Sequence, residues 1–144
     1  MLSNNSIIFD IKQIIEQSRE SAIRSVDFAR VQMYWHIGNR IFEEEQQGKE
    51  RADYGKFLIK TLAKTLEPEF GSGFSKRQLE RMRQFYRTFP IASALRTQLN
   101  WTQYKLLISL ENEDKREFYI AESVKNNWTS RQLERQINSQ LFER

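Results

Sequence analysis

Five basic side chains lie in residues 75–89, with Glu80 as the one acid among them. That surplus of four equals the net charge of +4 carried by the whole chain of 144 residues. On a helical wheel turning about 100° per residue, Leu79, Met82, Phe85, Tyr86 and Phe89 fall within an arc of about 120°. Lys76, Arg77, Glu80, Arg81, Arg83, Gln84 and Arg87 fill the remainder. Solvated helices ordinarily interleave acids and bases to gain i,i+4 pairs. This segment instead sets Arg77 one turn from Arg81 and Arg83 one turn from Arg87, which points to a polyanionic partner. A guanidinium grips phosphate and reads guanine bidentately, and a glutamine amide reads adenine. Arg77, Arg81 and Gln84 are therefore candidate base-edge readers, with Lys76, Arg83 and Arg87 at flanking phosphates. A plain solvated face and a dock for an acidic protein surface are the competing readings.

Catalytic chemistry finds few groups to work with. His36 is the one histidine, set between Trp35 and Ile37, and cysteine is absent. Its neighbours mark His36 as a packed or rim residue, and a His/Cys zinc site cannot be assembled. Gly71-Ser72-Gly73 lacks the lysine and serine that complete a phosphate-cradling loop. Glu113-Asp114-Lys115 contains a Glu-x-Lys found in metal-dependent nucleases, but it reads as a helix start without the strand-borne Asp such sites need. The expectation is a binding module with no catalytic residue, no cofactor and no metal.

The elements that position the basic face read as helices throughout. Residues 6–46 carry apolar side chains at helical spacing, first Ile7, Ile11, Ile14 and Ile15, then Ala22, Val26, Ala29, Met33, Ile37 and Ile41. At ~1.5 Å per residue such a helix reaches about 60 Å, more than a small domain covers. Glu43-Glu44-Glu45 near its end is either a solvated terminus or a contact for a basic partner. A polar stretch, residues 47–53, precedes a second helix over 54–67, which Pro68 is expected to end. Three further helix starts share an aromatic followed by a hydroxyl: Phe74-Ser75, Trp101-Thr102 and Trp128-Thr129. Ser or Thr at the N-cap accepts from first-turn amides, and Gln78 and Gln132 are placed to close capping boxes. Helices are thus expected over 75–89, 102–110 and 129–143, with another over 113–125 turning at Asn126-Asn127. No strand pattern is present. The expected fold is all-α, a single helical domain over residues 1–144 in which a long N-terminal helix precedes a compact bundle. Residues 54–67 and 75–89 would form a helix-turn-helix-like unit. The pair 113–125 and 129–143 is a rival, with Arg131, Arg135 and Asn138 as its readers. The N-terminus lacks a signal-peptide pattern and no apolar run approaches a membrane span, so the expected location is the cytoplasm, with no membrane partner.

The combined pattern resembles the N-terminal domain of the YhcG-like family. The likeness is carried by Tyr34-Trp35-His36-Ile37-Gly38, Glu44-Glu45 with Gly48-Lys49-Glu50-Arg51-Ala52, and Tyr54-Gly55-Lys56 with Leu58-Ile59. Phe70-Gly71, Gly73-Phe74-Ser75, Met82-Arg83-Gln84-Phe85-Tyr86, Leu99-Asn100-Trp101-Thr102 and Leu133-Glu134-Arg135-Gln136-Ile137 extend it over residues 9–143. In that family this bacterial helical region precedes a nuclease domain of the PD-(D/E)xK type. The resemblance implies a DNA-binding and targeting role for a nuclease, with the nuclease domain or subunit as a partner and the catalytic residues beyond Arg144. The alternative expectation is an oligomerisation and docking module, a homodimer formed through the long N-terminal helix.

Overall fold

A computed structural model describes residues 2–48 and 54–144, with side chains described from Ile8 onward. Ile7's side chain and most of the polar stretch at 47–53, residues 49–53, lie outside the described residues. Among the described residues six α-helices follow in order: α1 (Leu2–Gln47), α2 (Tyr54–Phe70), α3 (Lys76–Thr88), α4 (Trp101–Ile108), α5 (Glu113–Asn126) and α6 (Ser130–Asn138). Short 3-10 turns occupy Ser72–Phe74 and Ala92–Ala94, and no strand occurs among the described residues.

The second half of α1 runs antiparallel to α3, as the pairs Glu45–Arg83, Phe42–Tyr86 and Trp35–Phe89 show. The two backbones cross at Gly38. A Cβ built there would collide with the Met82 carbonyl oxygen and come within 2.7 Å of its carbon. Close approach of backbones is one of the few reasons to place glycine inside a helix, where it otherwise costs about 1 kcal/mol relative to alanine. Trp35 Nε1 donates to the Phe89 carbonyl at 2.7 Å in the interior, satisfying a backbone acceptor at the end of α3.

α3 serves two cores at once. Phe85 and Phe89 belong to a cluster with Val31, Trp35, Leu99, Tyr104, Leu107, Tyr119 and Leu133. Leu79 and Met82 belong to a second with Ile41 and Ile59. The wheel's apolar arc is thus the buried side of α3. Tyr104 is buried at the centre of the larger cluster, its ring tilted against Phe85 and edge-on to Phe89. Its hydroxyl accepts from the Arg96 amide at 2.7 Å.

Capping chemistry sets most helix ends, with four departures from expectation, the first being that Ser75 caps α3 without the return bond from the Gln78 side chain that would close a capping box. α4 is capped by Asn100 rather than Thr102. Asn100 and Gln103 close a full capping box, and Asn caps as well as any residue, so the helix begins at Trp101. The buried Gln103 amide also donates to the Trp128 carbonyl at 2.7 Å, tying α4 to the turn before α6. Pro68 does not end α2. It sits in the last turn, and the helix closes where the Gly71 amide donates to the Glu67 carbonyl and Gly71 adopts φ 100°. α6 stops at Asn138, five residues short, because Gln140 turns left-handed at φ 60°. Its amide bonds the Ile137 carbonyl and that of Leu141 bonds Gln136, the hydrogen bonds of a Schellman stop. The Asn126-Asn127 turn forms as expected, with Asn127 at φ 51°.

Replacing Gly38 with alanine reverses the usual helix-propensity gain. Overpacking at the crossing should cost about 1–3 kcal/mol and lower the thermal midpoint by roughly 3–10 °C. An unchanged or raised midpoint by circular dichroism would show that the two backbones have room for a methyl group.

Candidate nucleic-acid interface

Ser75 opens α3 with its hydroxyl accepting from the Gln78 amide at 3.4 Å. The first turn of α3 carries Lys76 and Arg77 and no acid. Cations are disfavoured at a helix N-terminus by a few tenths of a kcal/mol each. Both are exposed, so the fold places positive side chains beside a positive helix end, a combination that a bound anion relieves.

The expected face divides once its partners are known. Arg83 turns towards α1 and donates through Nη1 to Glu45 Oε2 at 2.7 Å, the side chains being 23% and 11% exposed. Gly55 of α2 leaves the room for this contact, since a Cβ there would meet the same carboxylate oxygen. Glu44 pairs with Arg40 at 2.9 Å and accepts from the Tyr54 hydroxyl at 3.1 Å. Two of the three acids at the end of α1 therefore find basic partners inside the chain. Arg87 lies over the Phe42 ring at 5.6 Å. Gln84 donates through Nε2 to the Ile108 carbonyl at 2.8 Å, so bidentate adenine reading would require that bond to open.

Arg81 is placed differently. It lines an open cleft of about 400 Å3 with Gln84, Thr102, Lys105, Ser109 and Glu134. Lys105 comes from α4, and its ammonium is held below the ordinary lysine pKa by burial first and by the nearby Arg81 charge second. Neither cation forms an ion pair among the described residues. Lys105 was not singled out from the sequence. Its signal was faint: Thr102, Lys105 and Ser109 fall at i, i+3 and i+7, a short polar stripe on a helix that otherwise reads as core.

The rival set on α6 lies elsewhere. Arg131, Arg135 and Asn138 are exposed, and Arg131 lines a separate cleft of about 470 Å3 with Arg24, Asp27, Asn100 and Ser130. His36 is exposed, edge-on to Trp35 at 5.0 Å. The Glu-x-Lys segment opens α5 under an Asn112 cap, and Lys115 pairs with Glu143 at 3.2 Å.

Taken together, the fold defines an all-α module built on a long N-terminal helix, with a cationic cleft between its third and fourth helices. The family described as DUF1016 N-terminal domain matches residues 10–144, and the chain belongs to it. The Escherichia coli (strain K12) protein named "Putative nuclease YhcG" is 34% identical over 166 aligned residues. That alignment covers 93% of this chain and 44% of the relative, so the chain spans less than half of that protein's length. No solved structure matches.

The ion pair at the three-helix junction can be weighed directly. Arg83→Met and Glu45→Gln should each destabilise by about 1.5–3 kcal/mol, the range for a hydrogen bond to a charged group. Urea denaturation of the double variant should show less than the sum of the single losses, because the second change removes a partner already lost. Strict additivity would mean that the pair contributes nothing.

Proposed function

We propose that this domain binds DNA and targets a nuclease to it, gripping phosphates with Lys76, Arg77 and Arg81 of α3 and Lys105 of α4. α3 would act as the reading or phosphate-contacting helix of a helix-turn-helix-like unit with α2. The observation that carries the reading is Arg81 and Lys105, from different helices, sharing one open cleft whose single lining carboxylate, Glu134, pairs with neither among the described residues. Arg83 and Arg40, by contrast, are matched by acids of α1. A phosphate oxygen in the cleft would relieve the repulsion between the two cations and raise the Lys105 pKa back towards its ordinary value. The relative's name refers to a nuclease, which gives a DNA-gripping module a purpose. Arg87 and Gln84 border the same face. With α1, α2 and α4 packed around it, α3 is better placed to hold the backbone than to insert deeply into a groove.

Duplex binding followed by fluorescence anisotropy should weaken linearly in log–log dependence on salt. Arg77→Glu with Arg81→Glu should lower affinity at least tenfold and flatten that slope by about 2, roughly one per lost phosphate contact. Lys105→Glu should act in the same direction, and Arg131→Glu with Arg135→Glu should have little effect. Intact affinity in the α3 double variant, or loss confined to the α6 variant, would move the interface away from α3. The Lys105 ammonium resonance should titrate below the ordinary lysine range in the free domain and shift upward when duplex is added.

A further inference from the structure

α1 carries two apolar faces, one in each half, on opposite sides of the helix. In the second half, Val31, Trp35, Gly38 and Ile41 face the bundle and are buried. In the first half, Ile8, Ile11, Ile15, Ser18, Ala22, Ser25 and Ala29 recur at alternating spacings of three and four. That is the seam of a heptad repeat, and it bears no charge. Ala22 and Val31 are nine residues apart, as are Ala29 and Gly38, which is about two and a half turns and puts each pair on opposite faces. The seam therefore points away from the bundle over most of its length, and at Ser25 it borders Thr97 and Gln98 of the segment before α4. Ile8, Ile11, Ile14, Ile15 and Val26 all stand exposed, with Ile14 and Val26 at its edges.

We propose that this face is covered by a second copy of the chain, the two α1 helices pairing antiparallel about a two-fold axis near Ser18. The seam is complementary to itself only in that direction. Antiparallel packing sets Ile8 opposite Ala29, Ile11 opposite Ser25 and Ile15 opposite Ala22, so each bulky side chain meets a small one. Parallel packing sets isoleucine on isoleucine at one end and serine or alanine on its like at the other, which leaves voids.

The charges near the axis allow this. Arg19 borders the seam there and already pairs with Glu16 of its own helix at 3.7 Å. A two-fold axis brings the two arginines near each other, each already paired with a glutamate on the outer side of its own helix. Ile8 to Ala29 is a strip of about 33 Å by about 10 Å on each copy, roughly 700 Å2 of projected surface over both. Accessible area exceeds projected area, which brings the contact near the ~1,200 Å2 at which specific interfaces begin. A contact at the small end of specific interfaces is expected to be reversible. It stands independently of nucleic-acid binding.

Sedimentation equilibrium of the full chain should show a monomer–dimer equilibrium across the micromolar range. Ile11→Glu with Ile15→Glu should raise the dissociation constant at least tenfold and leave the thermal transition of the bundle in place, since both residues lie outside it. The chain has no cysteine, so engineered thiols report register unambiguously. Ser18→Cys should oxidise to a covalent dimer and Ala22→Cys alone should not. A mixture of Ile15→Cys and Ala22→Cys chains should cross-link to each other. A strict monomer at several hundred micromolar, a dimer that survives the double glutamate change, or self-linking of Ala22→Cys would each overturn the proposal.

Discussion

The architecture depends on how closely α1 and α3 cross. At Gly38 the absent side chain lets the α3 backbone lie directly against α1, and the neighbouring contacts follow from that separation. One turn earlier, Trp35 is near enough to bond the carbonyl of Phe89. Further on, Ile41 and Met82 close the smaller core, and Glu45 reaches Arg83. Interiors pack to nearly crystalline density, so these contacts cannot adapt singly to a wider crossing. One glycine on α1 thereby fixes where α3 lies, and with it the direction in which the α3 cations point.

That position sorts the basic residues by what faces them. On the α1 side, Arg83 meets a carboxylate in a partly buried setting where an unpaired charge would be costly. On the α4 side, Arg81 meets Lys105, and no acid pairs with either among the described residues. An exposed ion pair contributes little to stability, so leaving the outer cations unmatched costs the fold little. It still leaves a local positive potential that attracts anions. One short helix can thus be structural along one edge and available along the other.

Local signals in the sequence were strong enough to locate every helix. Asn127 as a left-handed stop and Thr129 with Gln132 as a capping box depend on neighbours in sequence and were legible as such. The misplaced ends are cases of local competition. Asn100 lay one residue ahead of the aromatic–hydroxyl pair and caps as well as threonine, and Gln140 adopted a left-handed conformation more usual for glycine or asparagine. The division of the basic face was not legible, because Glu45 and Arg83 are separated by 38 residues and meet only through the crossing. Lys105 stayed hidden for the same reason: its relation to Arg81 exists only once α4 is laid beside α3. The two faces of α1 were not separated in the sequence: one run of helical spacing joined Ala22, Val26, Ala29 and Met33, which stand exposed, to Ile41, which is buried, and passed over Val31 and Trp35, which face inward.

The two hydrophobic clusters share α3 as a common wall, with Leu79 and Met82 facing one and Phe85 and Phe89 the other. Neither cluster can lose that wall while the other keeps it. Loosening on the α2 side is therefore transmitted to α4, α5 and α6 as loss of their packing surface. The shared wall makes the bundle a single cooperative unit in spite of its two cores. The part of α1 before Ser21 takes no part in that cooperativity. Its helical hydrogen bonds are local, so it can fray and re-form without disturbing anything that α3 supports.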